Sequence, residues 1–452
     1  MSEWFRGKLG EILELKRGYD LPARLRISGK IPVISSGGFS DYHADSKVKG
    51  PGVVTGRYGT IGKVFFVNEE YWPLNTTLYV KNFKGNHPKF IYYFLQQIDF
   101  QSCSDKAAVP GLNRNHLHLL DSKIPPLPEQ KAIAHILGTL DEKIELNRQL
   151  NQTLEAMAQA LFKSWFVDFD PVMDNALAAG NIMPDELEAI AEKRKLVADS
   201  KKLISTNPAL ATKFPSSFEY NEVLGKWIPE GWEDVSFPEI VDFLEGPGIR
   251  NWQYTEEEDG IKFINIRCIK DGDLTLETAN KLTREEALGK YKHFQLEEDD
   301  IVISTSGTLG RFSFVRKEHL PLSLNTSVIR FREIKGISTK YYIYGYCNTD
   351  LQYELETRAS GSVQKNFGPM HLKQISLLHP RMEVLLEHEK ISYQLFEKRK
   401  LNLQNIDTLT QLRDRLLPEL ISGRVRVKEI EEWTEQKLAM VAENRANYNS
   451  KS

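Results

Sequence analysis

The stretch that most constrains this chain is IPPLPEQKAIAHILGTLDEKIELNRQLNQTLEAMAQALFKSWF, from Ile124 to Phe166. Pro125, Pro126 and Pro128 cannot continue a helix backwards, so they mark a sharp start. From Glu129 onward the run is free of proline and holds a single glycine, Gly138. Ile133, Leu137, Leu140, Ile144, Asn147, Asn151, Leu154, Ala158 and Leu161 then recur at alternating steps of four and three. That spacing is a coiled-coil seam, and it predicts a helix about 55 Å long from Glu129 to Phe166. A seam of this length needs a second helix to cover it. Asn147 and Asn151 lie within it, where a buried amide gives up stability to fix register or partner.

The chain supplies a second helix. Residues 397–404 (EKRKLNLQ) read against 142–149 (EKIELNRQ) at an offset of 397 − 142 = 255. The same offset pairs Leu154 with Leu409 and Leu161 with Leu416, so Leu395, Asn402, Leu409 and Leu416 are the expected seam of the partner. Upstream, Trp232, Glu239-Ile240 and Gly246 match Trp4, Glu11-Ile12 and Gly18 at an offset of 232 − 4 = 228. IVISTSGTLGRF (301–312) mirrors VVTGRYGTIGKV (53–64), LNTS (324–327) mirrors LNTT (74–77), and residues 361–366 stand roughly where 108–113 stand. Such self-similarity predicts an internal duplication. The expected fold is α+β, with two tandem modules separated by two long antiparallel coiled-coil helices. Six segments follow: module 1–123, spacer helix 124–170, linker with one charged, exposed helix 171–226, module 227–380, spacer helix 381–425 and polar tail 426–452. A scaffold kept constant while its loops vary suits two binding modules with different targets.

Composition narrows the class. With 41% hydrophobic and 27% charged residues the chain reads as soluble and globular. Cys103, Cys268 and Cys347 are odd in number and far apart, which points to a reducing compartment, the cytoplasm. The N-terminus shows no apolar signal core, and no stretch reaches membrane-spanning length. A net charge of −3 neither requires nor forbids nucleic acid, because a basic face can sit within a neutral total.

Enzyme signatures fail one by one. In GRYGTIGK the spacing of Gly56 and Gly62 departs from a phosphate loop, and Val64 follows Lys63 where a Mg²⁺-binding hydroxyl is required. Asn75-Thr76-Thr77 is not the Asn-Pro-Pro-aromatic motif of amino-methyltransferases, and His116-x-His118 lacks further ligands at metal spacing. No catalytic or metal residues are therefore assigned. Arg and Lys suit guanine, Asn and Gln suit adenine, and Ser or Thr suit phosphate. Should the modules bind DNA, the contact candidates of the first are Arg17, Tyr19, Ser35, Ser36, Arg57, Tyr58, Thr60, Lys63, Asn113, Arg114 and Asn115. Those of the second are Arg250, Arg267, Ser304, Thr305, Ser306, Thr308, Arg311, Gln364, Lys365 and Asn366. Each singly also reads as a turn former, a cap or ordinary surface; their recurrence at matching loop positions favours contact. Asn75 and Asn325 sit at corresponding strand ends and are read as fixing loop geometry.

The IPPLPEQ opening of the first long helix, GTIG (59–62), VPGLNRN (109–115), WFVDFDP (165–171) and LLPELISG (416–423) together resemble the specificity subunits of type I restriction–modification enzymes. The second copy departs from the pattern: Pro380-Arg381-Met382-Glu383 replaces PPLPEQ. The resemblance implies two target-recognition domains, each reading one half of a split, asymmetric double-stranded DNA site. It also implies that the helices hold those domains a fixed distance apart. Partners would be methyltransferase subunits, two of them, and restriction–translocase subunits. S-adenosylmethionine, ATP and Mg²⁺ would belong to those partners, leaving this chain non-catalytic and without a cofactor. Two rivals remain at this point: a duplicated coiled-coil scaffold that binds proteins without reading DNA, and a nuclease or methyltransferase in its own right.

Overall fold

A computed structural model describes residues 3–103, 111–197, 208–270, 272–358 and 367–427. The contacts divide the chain into two compact units, Met1–Arg148 with Leu403–Ser452, and Gln149–Asn402. The sequence places boundaries at the helix ends, whereas the contacts place them within the two long helices. Each unit thus holds one module and a part of both helices.

In the first unit, strand Phe5–Lys8 pairs antiparallel with Asp121–Ile124 and closes the module at its base. Between them lies a four-stranded sheet in the order Glu14–Arg17, Thr77–Asn82, Gly52–Gly56, Val64–Val67. A three-stranded sheet follows the order Gly38–His43, Ile31–Ser35, Trp72–Pro73. The aromatic run that opens at Pro88 forms a helix over Pro88–Gln96. His87 caps it, with Pro88 in the first turn, and Phe90, Ile91, Tyr93, Phe94 and Leu95 are buried. These side chains share a core with Leu9, Ile12 and Leu15, with Ile133 and Leu137 of the first long helix, and with Leu417, Leu420 and Ile421 of the last.

The second unit repeats this plan. Glu233–Ser236 pairs with Ser376–His379. The four-stranded sheet runs Val241–Glu245, Val328–Glu333, Ile301–Ser304, Phe312–Phe314, and the three-stranded one Asn280–Leu282, Ile261–Phe263, Leu322–Ser323. Strand order is therefore the same in both, and the chain is an α+β protein with an internal duplication. In the segment 171–226 the charged helix is largely exposed, as read from sequence, but its flanks contribute to a core. A helix over Asp170–Ala179 buries Val172, Met173 and Ala176, and Val172 and Phe214 join the core of the second unit. The charged helix Asp185–Val197 is tied to it, with Arg194 bidentate on Asp174 at 2.8 Å for both bonds. Amphipathic charge hid an ion-paired face from a reading based on polarity alone.

The long helices span Leu127–Phe162 and Met382–Ser422. The first starts two residues before Glu129 and gives way to a π-helical turn over Lys163–Val167; its 36 residues correspond to about 54 Å. The second starts at the matching position, 382 − 127 = 255, although it lacks the proline cluster. Ile133, Leu137, Ile144, Asn147 and Asn151 are buried, while Leu140, Leu154 and Leu161 are half-buried and Phe162 is buried in place of Leu161. In the last helix Asn402 is buried and Leu395, Leu409 and Leu416 are half-buried, with Phe396 and Leu417 beside them buried instead. A straight helix drifts about 20° per heptad from a 3.5-residue repeat, and that drift moves the seam to the adjacent side chain. Pairing is antiparallel within each unit. In the first, Arg413 meets Asp141 at 3.0 Å, and Arg426 grips Glu129 at 2.6 and 2.7 Å. In the second, Asn402 Nδ2 donates to Asn151 Oδ1 at 2.9 Å, and Arg399 Nε lies 3.2 Å from Glu155. Arg426 and Val427, assigned to a polar tail, instead belong to the first unit: Val427 is buried in its core, and Trp4 Nε1 donates to the same Glu129 at 3.2 Å.

Asn402→Ala removes the donor that satisfies the buried Asn151 carbonyl, and the full chain should lose about 1–3 kcal/mol in urea denaturation. Replacing both amides with leucine should be neutral or stabilising. His388 is buried against Phe162, Trp165 and Phe166 and shares a hydrogen bond with Ser392 Oγ at 3.2 Å. Burial pushes its imidazole down to about 3. The folded chain therefore holds this ring neutral, while the unfolded chain protonates it near 6.5. Its contribution to stability should be complete above pH 6.5. Below that it should fall by roughly 1.4 kcal/mol per pH unit, down to the depressed folded value. Denaturation at pH 7 and pH 5.5 checks this, and His388→Gln should flatten the difference.

Candidate nucleic-acid interface

In the first unit the strand Gly52–Gly56 runs into Arg57–Lys63 and returns as Val64–Val67. Gly56 N–H donates to Lys63 O at 3.1 Å, and Gly59 and Gly62 take φ of 76° and 85° to close the turn. The residues 73–77 form the hub beneath. Thr76 O accepts from Arg57 N at 2.8 Å and Tyr58 N at 3.2 Å, Thr77 O from Gly18 N at 3.1 Å, and Pro73 O from Tyr19 N at 2.8 Å. Leu112 N donates to Arg57 O at 3.0 Å, which brings in the segment before the helix Arg114–His118. Three stretches far apart in sequence, 17–20, 57–63 and 111–115, are thus fastened to one another.

Their side chains divide into those that hold the frame and those left facing outward. Ser35 Oγ donates to Gly38 O at 3.0 Å and accepts from Gly37 N at 3.3 Å, so it shapes its own turn. The Tyr19 and Tyr79 hydroxyls share a hydrogen bond at 3.0 Å, and burial pushes the Tyr79 phenol above its usual range. Asn113 caps its helix by accepting from Asn115 N at 3.0 Å, and Asn75 hydrogen-bonds the Asp20 carboxylate. His118 accepts from Leu15 N at 2.9 Å, a structural role. Arg17, Lys63, Arg114 and Asn115 are exposed, and Ser36 and Thr60 are partly exposed. Arg17 lies 3.8 Å from Asp20. Arg57 lies over the exposed Tyr58 ring at 4.4 Å.

The second unit repeats four of these frame bonds. Ser304 N donates to Arg311 O at 2.8 Å, Thr305 N to Ser327 O at 2.9 Å, Gly246 N to Val328 O at 3.1 Å, and Phe367 N to Thr305 O at 3.0 Å. Gly307 and Gly310 take φ of 66° and 80°. A Cβ on Gly18 would meet Leu74 O at 2.2 Å and one on Gly246 would meet Asn325 O at 2.2 Å, so neither position admits a side chain. These bonds set the correspondence: Thr305 stands at Arg57, Ser306 at Tyr58, Arg311 at Lys63, Phe367 at Leu112 and Glu245 at Arg17. The register read from sequence, Asn366 opposite Asn113, is therefore shifted by two residues.

Two candidates change role. Ser304 and Thr305 are each only 1% exposed. Ser304 Oγ donates to Thr308 O at 2.5 Å and accepts from Arg311 N at 3.0 Å, holding the turn from below. A β-rich run ending in small polar residues reads as a loop start, yet both hydroxyls lie beneath the loop surface. Ser306 is partly exposed, and Thr308, Arg311, Arg250 and Arg267 are exposed. Asn325 Oδ1 accepts from Ile249 N at 3.3 Å. Gln364, Lys365 and Asn366 lie outside the described residues. Sequence reasoning missed Trp252, 80% exposed on the short turn Asn251–Gln253 beside Arg250. An aromatic residue inside the polar run RNWQYTEEEDG is the signal that could have flagged it. It also missed Glu245, whose carboxyl burial pushes up.

Among the described residues no group of three or more His, Cys, Asp or Glu side chains could hold a metal ion, and no helix is long and apolar enough to cross a membrane. Each module instead presents loops of cations, hydroxyls and amides on a rigid sheet edge, the donor set that nucleic-acid backbones and base edges accept.

Comparison with known proteins agrees with the duplication. The chain is 28% identical over 341 residues to the Type I restriction enzyme HindI specificity subunit of Haemophilus influenzae, covering 71% of this chain and 72% of that one. It is 24% identical over 373 residues to the MjaIX specificity subunit of Methanocaldococcus jannaschii, covering 79% and 74%. The crystal structure of a type I restriction-modification S subunit from M. genitalium shares the fold, with a TM-score of 0.56, 17% identity and coverage of 92% and 96%. The family model for the type I restriction modification DNA specificity domain matches twice, over residues 1–156 and 229–410. The chain belongs to that family of type I restriction–modification DNA specificity proteins.

Proposed function

We propose that this chain is the DNA-reading subunit of a type I restriction–modification complex, with each module reading one half of a bipartite, asymmetric site. The observation that carries this reading is the repeated hydrogen-bonded frame with unlike side chains mounted on it. Two copies of one scaffold that differ at Arg57/Thr305, Tyr58/Ser306 and Arg17/Glu245 suit two different half-sequences. A protein scaffold indifferent to DNA has no need of such loops. Methyl transfer and cleavage then fall to partner subunits, two methyltransferase subunits and restriction–translocase subunits. S-adenosylmethionine, ATP and Mg²⁺ are placed there and not in this chain, and work on chromosomal DNA places the assembly in the cytoplasm.

The test is methylome sequencing of a host expressing this chain with its methyltransferase subunit. A split, asymmetric methylated motif is the expected outcome; assembly without sequence-selective methylation would favour the scaffold. Exchanging residues 1–123 for a homologous module should alter one half of the motif and leave the other intact. Spacing offers a further prediction. Because the helices pair antiparallel, one heptad added to both, after Arg148 and before Leu403, lengthens the link by about 10 Å without breaking the seam. At about 3.4 Å per base-pair step the gap should widen by about three base pairs, with both half-sequences unchanged. Altered half-sequences with an unchanged gap would show that the helices do not set the spacing.

A further inference from the structure

The correspondence between the modules separates what both need from what only one uses. Positions that keep their chemistry in two modules reading different half-sites serve the shared part of the target, the sugar–phosphate backbone. Positions that change serve the bases. Lys63 and Arg311 answer to each other, are both exposed cations, and close the same turn through the bonds Gly56 N to Lys63 O and Ser304 N to Arg311 O. Arg57 has no such counterpart. Its equivalent is Thr305, with 1% exposure.

Arg57 is also held as a reader must be. Its guanidinium lies over the Tyr58 ring at 4.4 Å and its Nε donates to Leu112 O at 3.4 Å. The backbone is pinned on both sides, by Arg57 N to Thr76 O at 2.8 Å and Leu112 N to Arg57 O at 3.0 Å. Among the described residues no carboxylate pairs with it. Committing Nε to Leu112 leaves the two terminal nitrogens as a planar pair of donors at the edge of the loop. That pair matches O6 and N7 of guanine in the major groove. Stacking on Tyr58 lowers the conformational freedom lost on contact.

We infer that Arg57 reads a guanine in the half-site of the first module, that Lys63 and Arg311 neutralise backbone phosphates, and that the second module lacks the guanine contact at this position. The inference rests on the DNA-reading function proposed above, and the wild-type motif tests that function separately.

The experiment compares methylomes of the wild-type complex with those carrying Arg57→Gln or Arg57→Ala. Filter binding of the same complexes to the wild-type site follows at several salt concentrations, with Lys63→Ala and Arg311→Ala alongside. In Arg57→Ala, one guanine of one half-site should become degenerate, with discrimination at that base falling about fivefold or more. In Arg57→Gln the preference there should move toward adenine, because glutamine pairs bidentately with N6 and N7. The opposite half should not change. Lys63→Ala and Arg311→Ala should weaken binding evenly over all sequences and each lower the salt slope by about one. Should Arg57→Ala fail to assemble, Arg57→Gln, which keeps much of the stem, carries the test. A wild-type motif split into two halves, with Arg57→Gln reading the same sequence more weakly, overturns the assignment of Arg57. So does a wild-type motif with no guanine in the half-site that the 1–123 exchange alters. A wild-type complex that methylates no split motif overturns the DNA-reading function itself.

Discussion

Neither module can bury its own apolar surface. In the first unit the core formed by Leu9, Ile12, Phe90 and Phe94 is completed by Ile133 and Leu137 from one long helix and by Leu417, Leu420 and Ile421 from the other. In the second, Ala158 and Phe162 of the first helix and Val384, Leu385 and Phe396 of the last do the same for Phe237, Phe331 and Tyr344. The coiled-coil seam is thus a shared wall of each core as well as a helix–helix contact. Hydrophobic burial is proportional to the area removed from water, so a helix pair and a module that complete one core fold together.

Direction is added to that non-directional attraction by one polar cluster in each unit. In the first, Tyr93 Oη donates to Asp141 at 2.6 Å and Arg413 reaches the same carboxylate at 3.0 Å. In the second, Tyr344 Oη donates to Glu155 at 2.9 Å and Arg399 Nε lies 3.2 Å away. Each cluster takes a tyrosine from the module, an acid from the first long helix and an arginine from the last. A partly buried carboxylate held by a tyrosine hydrogen bond and an arginine charge has few geometries open to it, so it fixes how a module is set on its helices. The candidate loops are fastened to that frame through backbone bonds to residues 73–77 in one unit and 326–328 in the other. Binding loops on a rigid frame can differ in chemistry without differing in placement.

Much of this was legible in the sequence. The 4-3 spacing determined a long helix and its need for a partner; the offsets of 228 and 255 determined the duplication, the first located Gly18 with Gly246, and the match of 301–312 to 53–64 located the Gly59–Gly62 turn with Gly307–Gly310. These features are local or repetitive, which is why the chain's order alone reveals them. Asn151 was legible as a buried amide because the seam left it nowhere else to lie.

Other features depended on through-space geometry. That Asn151 is satisfied by Asn402, that Arg194 closes on Asp174, and that Arg426 returns to Glu129 beside Trp4 depend on partners 251, 20 and 297 residues away. Burial of Ser304 and Thr305, and the two-residue shift that sets Phe367 opposite Leu112, follow from which carbonyl each amide can reach. Residue type gives the chemistry that a side chain has available. Only the tertiary structure decides whether it faces inward to satisfy a buried group, as Ser304 does beneath its loop, or stands at the loop edge with donors to spare, as Arg57 does on Tyr58.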